Sequence, residues 1–153
     1  MITHSLLVLR ELGGDLQITL IATGGTVRPA TFSLVGPLAE EMISRFHADR
    51  LFLAAAAVDL DRGLYNSYVY EIGVKQHMIH ASHEVILLAD HTKFGRQSTV
   101  KIADLDVLSS VITDSQVPDE IAMGLRRRQI DVRLASAGSS GEATAAPGAS
   151  TTP

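Results

Sequence analysis

Cysteine is absent from this chain. Its absence removes disulfides, thiolate nucleophiles and most zinc sites together. Positive charge is also scarce, with 13 Lys and Arg against 17 Asp and Glu and a formal charge of -4. A strong nucleic-acid interface needs a clustered basic surface, so this chain is not expected to bind DNA by itself. Long apolar runs are missing too. The longest, Leu51 to Val58, is far too short to span a bilayer, which argues against a membrane partner. The opening "MITHSLLVLREL" has neither the basic segment nor the apolar core of a secretory signal, so the expected location is cytoplasmic. Gly24-Gly25 is not a G-x-G-x-x-G, and neither a P-loop nor a G-x-S-x-G is present, so no cofactor is expected.

What remains is an ordinary globular composition. With 153 residues, 46% hydrophobic and 20% charged, the chain reads as one domain able to bury a sizeable core. Leu6, Leu9 and Leu12 recur at a helical period over 5–12, closed by Gly13-Gly14. Leu16 to Ala22 reads as a buried strand entering a Gly24-Gly25 turn. Gly36-Pro37 opens a helix with a Leu38, Met42, Ile43 and Phe46 stripe. Arg50 to Val58 reads as a second buried strand, followed by an Asp-rich loop. A helix is predicted from about Tyr68 to Ser82, with Val69, Ile72, Gln76 and Ile79 on one side. Strands follow at 84–89, 109–113 and 130–135, with a helix from Ile121 to Arg128 opened by Pro118. Continuous apolar strands separated by helices predict an α/β fold: a mostly parallel sheet with helices on both faces. Ligands in such sheets bind outside the carboxyl ends of the strands, where Gly24, Gly25, Asp59 and Asp90 to Lys93 are expected to converge.

The segment "VILLADHTKFGR", Val85 to Arg96, concentrates polar groups at one strand end. Asp90 suits sugar hydroxyls, Thr92 supplies a hydroxyl, and Lys93 suits phosphate as a point charge. The same pattern also fits a capped turn, which needs polar residues without any ligand. Glu71 and Lys75 stand at i,i+4, which by spacing is a solvated pair worth only about 0.3–0.5 kcal/mol. His77, His80 and His83 drift around their helix and lack a carboxylate partner, so exposed histidines are expected rather than a metal. Arg126 to Arg128 fits a solvated helix C-terminus.

Five segments in order, "ITHSL", "GG" at 24–25, "FSLVGPLAEE", "GLYNSYVYEIGVKQHMI" and "LLADHTKFGR", resemble the C-terminal sensor domain of DeoR-type bacterial transcriptional repressors. The resemblance runs from about residue 2 to 121. It implies a fold similar to ribose-5-phosphate isomerase and the CoA-transferases, and a phosphorylated sugar or polyol as effector. It also turns Glu71 and Lys75 into pocket residues beside Gly24, Gly25, Asp59, Asp90, Thr92 and Lys93. DNA would be reached only through a helix-turn-helix domain that has no counterpart here. The family's D-x-G-T-T phosphate loop also has no counterpart, so the expectation is a sensor domain over 1–134, incomplete at its start, and a disordered tail over 135–153. His4 stands in an Asn position of the family pattern. The acid of the isomerase relatives falls on Ala56, within an alanine run that cannot move a proton. The competing functions are therefore an aldose–ketose phosphate isomerase and an oligomerisation module with a dead pocket. A homo-oligomer is expected.

Overall fold

The computed structural model describes residues 1–135; the expected tail, apart from Ala135, lies outside the described residues. In chain order the elements are β1 (Ile2–Thr3), α1 (Leu6–Leu12), β2 (Ile21–Ala22), β3 (Thr26–Arg28), β4 (Ser33–Val35), α2 (Pro37–Ser44), β5 (Ala48–Ala54), β6 (Ala57–Asp59) and β7 (Gly63–Asn66). There follow α3 (Ile72–His80), β8 (Ser82–Leu88), β9 (Val100–Ala103), β10 (Ser110–Thr113), α4 (Asp119–Arg127) and β11 (Asp131–Leu134). Short 3₁₀ turns cover Val69–Glu71, His91–Lys93 and Leu105–Val107.

The centre is a four-stranded parallel sheet in the order β11-β10-β8-β5, which bears out the α/β reading. β6, β7 and β9 form a separate antiparallel sheet, β3 and β4 a hairpin, and β1 and β2 a short parallel pair. Period-two alternation sorts the central sheet into two faces. Leu51, Leu53, Val85, Leu87, Val111 and Val132 point into one core with Ile72, Ile79 and Leu125. On the other face, Phe52 is 60% and Leu88 42% exposed. Among the described residues, no helix is long and apolar enough to cross a membrane.

Several expected elements are corrected. Leu16 to Ala22 is not a buried strand: Leu16 is 97% exposed, and only Ile21–Ala22 pairs, with β1. Apolar content alone does not hold a strand; a ladder partner does, and β1 offers just Ile2 and Thr3. The run Arg50 to Val58 is not one strand. Ala54 still pairs with Leu88, whereas the Ala56 N–H already donates to the Tyr65 carbonyl in the antiparallel sheet. An unbroken alanine run gives no periodic signal of that change of sheet. The helix expected from Tyr68 begins as a 3₁₀ turn and turns Ile72, Val74, Lys75 and Ile79 inward. Val69 and Gln76 are exposed instead, with Gln76 donating to the Ile102 carbonyl at 3.0 Å.

α2 buries Ala39 and Ile43, while Leu38 is 69% exposed, contrary to the expected stripe. The reason is a close approach. A Cβ on Gly25, whose φ is +107°, would lie 2.7 Å from the Val35 carbonyl oxygen and 3.0 Å from the Ala39 Cβ. Only glycine facing alanine lets the helix sit this near the turn.

Candidate functional site

Two polar clusters lie near the carboxyl end of β5. The first is built on Glu71 and Lys75, which are both buried, at 7% and 9% exposure. Spacing suggested a solvated pair, and the structure corrects this: they are joined through Asn66 rather than to each other. The Asn66 side chain donates to Glu71 Oε2 at 2.6 Å and accepts from Lys75 Nζ at 3.4 Å. Glu71 Oε1 accepts from Arg28 at 2.6 Å, Thr31 at 3.1 Å and Ser33 at 3.2 Å, all on the β3–β4 hairpin. Arg28 also stacks over the Tyr68 ring, 4.0 Å from its centroid. The Lys75 ammonium donates to the Ala54 carbonyl, the last residue of β5, at 2.8 Å.

Burial pushes the Glu71 carboxyl up, but hydrogen bonds from Asn66 and Arg28, with the charges of Lys75 and Arg28, hold it below the ordinary carboxylate value. Burial pulls the Lys75 ammonium down; Glu71 opposes this and Arg28 adds to it. His4, on the segment after β1, is lowered first by burial and then by Lys75, with Glu71 opposing.

The second cluster surrounds a cavity of about 390 Å³ at the ends of β5, β8 and β10. The volume matches the roughly 300–1,000 Å³ of small-molecule sites, but the depression is wide open to solvent. Ala54, Ala55, Leu88, Ala89, Asp90, Lys93, Ile112, Thr113, Asp114 and Ala135 line it. Ala54 therefore belongs to both clusters: its carbonyl holds Lys75, and the residue forms part of the cavity wall. Asp90 caps the His91–Lys93 turn, accepting from the Thr92 N–H at 2.9 Å and from its hydroxyl. These bonds, the side-chain one first, lower the Asp90 carboxyl. Lys93 is 4.0 Å from Asp90 and half exposed. Asp114 accepts from the His91 and Gln116 N–H groups, each at 2.8 Å, and contacts the His91 ring at 3.0 Å. Led by the His91 backbone bond, these contacts take its carboxyl to about 2.

Of the expected site residues, Glu71 with Lys75, and Asp90 with Thr92 and Lys93, form the two clusters. Gly24 and Gly25 precede β3, with Gly25 against Val35 and Ala39 of the neighbouring elements. Asp59 sits elsewhere, at the end of β6 where the β6–β7 turn begins. It accepts from the Asp61 and Arg62 N–H groups and from Gln97, and the Asp61 bond first, then Gln97, lower its carboxyl. Sequence reasoning assigned no role to Arg28, Thr31, Ser33, Asn66, Thr113 or Asp114. Asn66 and Ser33 lie inside the quoted "GLYNSY" and "FSLVGP" segments, but nothing in spacing ties them to Glu71. Asp90, His91 and Asp114 have ligand atoms within 4.8 Å of one another, yet all three are engaged in the turn bonds just described.

Residues 1–115 match the family described as the DeoR C terminal sensor domain. The chain is 36% identical over 126 residues to a putative sgc region transcriptional regulator of Escherichia coli (strain K12), covering 82% of this chain and 48% of that protein. It is 31% identical over 134 residues to the HTH-type transcriptional regulator IolR of Bacillus subtilis (strain 168), covering 88% and 53%. It is 41% identical over 92 residues to the HTH-type transcriptional regulator GlpR of Haloferax volcanii, covering 60% and 36%. The chain thus spans about half the length, or less, of these relatives.

Proposed function

The chain belongs to the DeoR C terminal sensor domain family, and from that premise we propose that it binds a phosphorylated sugar or polyol and reports occupancy to a DNA-binding domain. The carrying observation is the Lys75–Ala54 contact, which joins a buried polar network to a cavity that also holds Lys93. A phosphoryl group carries close to two negative charges and several acceptor oxygens near neutral pH, which suits ammonium donors. Hydroxyls suit the carboxylates of Asp90 and Asp114. The matched family is a sensor domain, not an enzyme, and by the resemblance the acid an isomerase would need falls on Ala56, which cannot move a proton.

DNA contact would come through a separate helix-turn-helix domain, as in the HTH-type regulators of Bacillus subtilis and Haloferax volcanii that the chain resembles. A cytoplasmic homo-oligomer fits the same reading, and exposed Phe52 and Leu88 on one sheet face favour self-association. A thermal-shift panel of phosphorylated sugars and polyols tests the effector reading. A stabilising hit that also shifts Lys93→Ala and Lys75→Arg undiminished would place binding elsewhere; no hit across the panel would remove the reading altogether.

A further inference from the structure

The central sheet runs β5, β8, β10, β11 from edge to edge, which is also their order along the chain. Each crossover therefore steps the same way, and right-handed crossovers stepping one way place every connection on one face. The helices follow this rule. Ile72 and Ile79 of α3 and Ala122 and Leu125 of α4 share a single core with Leu53 and Leu87. No residue of α1 is buried, and α2 packs Ala39 and Ile43 against Val35 and Val74 instead. Among the described residues, no helix is seated on the opposite face, whereas parallel sheets are normally covered on both.

The uncovered face has a self-complementary pattern. Strand register sets Phe52, Ile86, Ser110 and Asp131 in one row across the sheet. Ala54, Leu88, Ile112 and Arg133 form the next row, nearer the carboxyl ends. On β5 and β10 the rows are opposite in size, Phe52 beside Ala54 and Ser110 beside Ile112. On β11 they are opposite in charge, Asp131 beside Arg133, and both are exposed. The Arg50–Glu84 pair, 2.9 Å apart, borders the face as a polar rim of the kind interfaces carry.

We propose that a second copy of this chain covers this face, about a two-fold axis lying across the strands between the two rows. The inference rests on the homo-oligomer reading above and assigns its interface. Such an axis lays each row over the other row of the partner, as a self-complementary two-fold contact requires. Phe52 then meets the partner's Ala54, a large side chain over a small one, and Ile112 meets the partner's Ser110 in the same way. Ile86 meets the partner's Leu88. Asp131 meets the partner's Arg133, so opposite charges coincide twice by symmetry. An axis along the strands would instead lay Phe52 over the partner's Asp131, apolar against charged. Stacked sheets lie about 10 Å apart, close enough for the side chains of the two inner faces to interdigitate. Ala54, Leu88 and Ile112 also belong to the wall of the open cavity. A partner seated here adds a wall that the single chain lacks, so the ligand site is complete only in the dimer.

Sedimentation of the full chain at several concentrations tests the arrangement, with denaturant midpoints as the control for folding. The expected result is a dimer. Phe52→Glu should weaken it by roughly 30-fold or more, the loss typical of a central interface anchor. Its denaturant midpoint should hold, because Phe52 is exposed in the single chain. Asp131→Arg and Arg133→Asp each set like charges opposite one another and should each weaken the dimer. Mixing those two variants should restore pairing about tenfold tighter than either shows alone, since every charge at that edge then meets its opposite across the axis. The repulsion inside each chain persists in the mixture, so the recovery reports the contact between copies. A monomer at every concentration overturns the interface together with the homo-oligomer. A dimer that Phe52→Glu leaves intact, or a mixture that fails to pair, keeps the homo-oligomer and overturns this interface alone. No ligand enters the measurement, so the effector reading is judged separately by the thermal-shift panel.

Discussion

Two carboxylate–lysine clusters lie near the end of β5, and they are built in opposite ways. Asp90, Thr92 and Lys93 lie within four consecutive residues, largely exposed and bonded mainly within their own turn. Glu71 and Lys75 are buried, and their partners come from residues as far apart in sequence as Arg28, Ser33, Asn66 and Ala54. The first cluster is dense in sequence and loose in space. The second is sparse in sequence and dense in space. Local density thus marks a turn, whereas long-range convergence marks the place where polar groups hold separate parts of the fold together.

The largest expected effect tests that distinction directly. Glu71→Ala leaves the buried Lys75 and the partly buried Arg28 without the carboxylate between them, and strands the Asn66 and Ser33 donors. Removing one partner of a buried charge network costs about 3–5 kcal/mol. Denaturant unfolding of the variant should show a loss of that size. A loss below about 1 kcal/mol would mean that water replaces the carboxylate, and the two clusters would then differ in appearance only.

This contrast also explains what was legible in the sequence. The parallel strands β8 and β10 announce themselves through apolar runs such as Val85 to Leu88, as parallel strands usually do; β11 shows only Val132 buried between polar neighbours. The resemblance, carried by motifs rather than periodicity, correctly placed the chain in its family and brought Glu71 and Lys75 to attention. Spacing alone misread that pair as solvated. Burial of Lys75 depends on Ala54 and Asn66, which are 21 and 9 residues away. The alanine run hid the exchange between two sheets because Ala54 to Ala57 look alike whichever sheet they join. Arg28 carried no signal at all, since its role depends on a hairpin folding over Glu71, 43 residues on.

A middle-sized effect of opposite sign is expected behind the exposed cluster. Among the described residues, the Thr113 hydroxyl is the one buried side-chain polar atom without a hydrogen-bond partner. Thr113 ends β10 in the cavity wall, 3% exposed. An unsatisfied buried hydroxyl costs on the order of 1 kcal/mol or more, so Thr113→Val should stabilise the unliganded chain by about 1 kcal/mol. The Glu71 network, whose donors and acceptors are matched, should yield no such gain from any apolar substitution. A destabilised Thr113→Val would mean that the hydroxyl is bonded, most simply by a buried water, and would make the two regions alike in polar satisfaction.

The smallest stability effect is expected at Lys93, and there the comparison becomes functional. Its ammonium is half exposed and approaches Asp90 only at 4.0 Å. Pairs of that kind contribute about 0–1 kcal/mol, and substitutions away from buried features usually stay within about 0.5 kcal/mol. Lys93→Ala should therefore unfold at nearly the wild-type denaturant midpoint. A hydrogen bond from this ammonium to a phosphoryl oxygen would be charge-assisted, worth about 1.5–3 kcal/mol, which corresponds to roughly 10- to 100-fold in affinity. Binding loss with an intact fold would assign Lys93 to the ligand and Glu71 to the architecture. Calorimetric titration of a hit from the phosphorylated panel, beside the unfolding curve of the same preparation, separates the terms. Wild-type affinity in Lys93→Ala would reduce the Asp90–Lys93 segment to a capped turn and leave ligand recognition to the buried cluster.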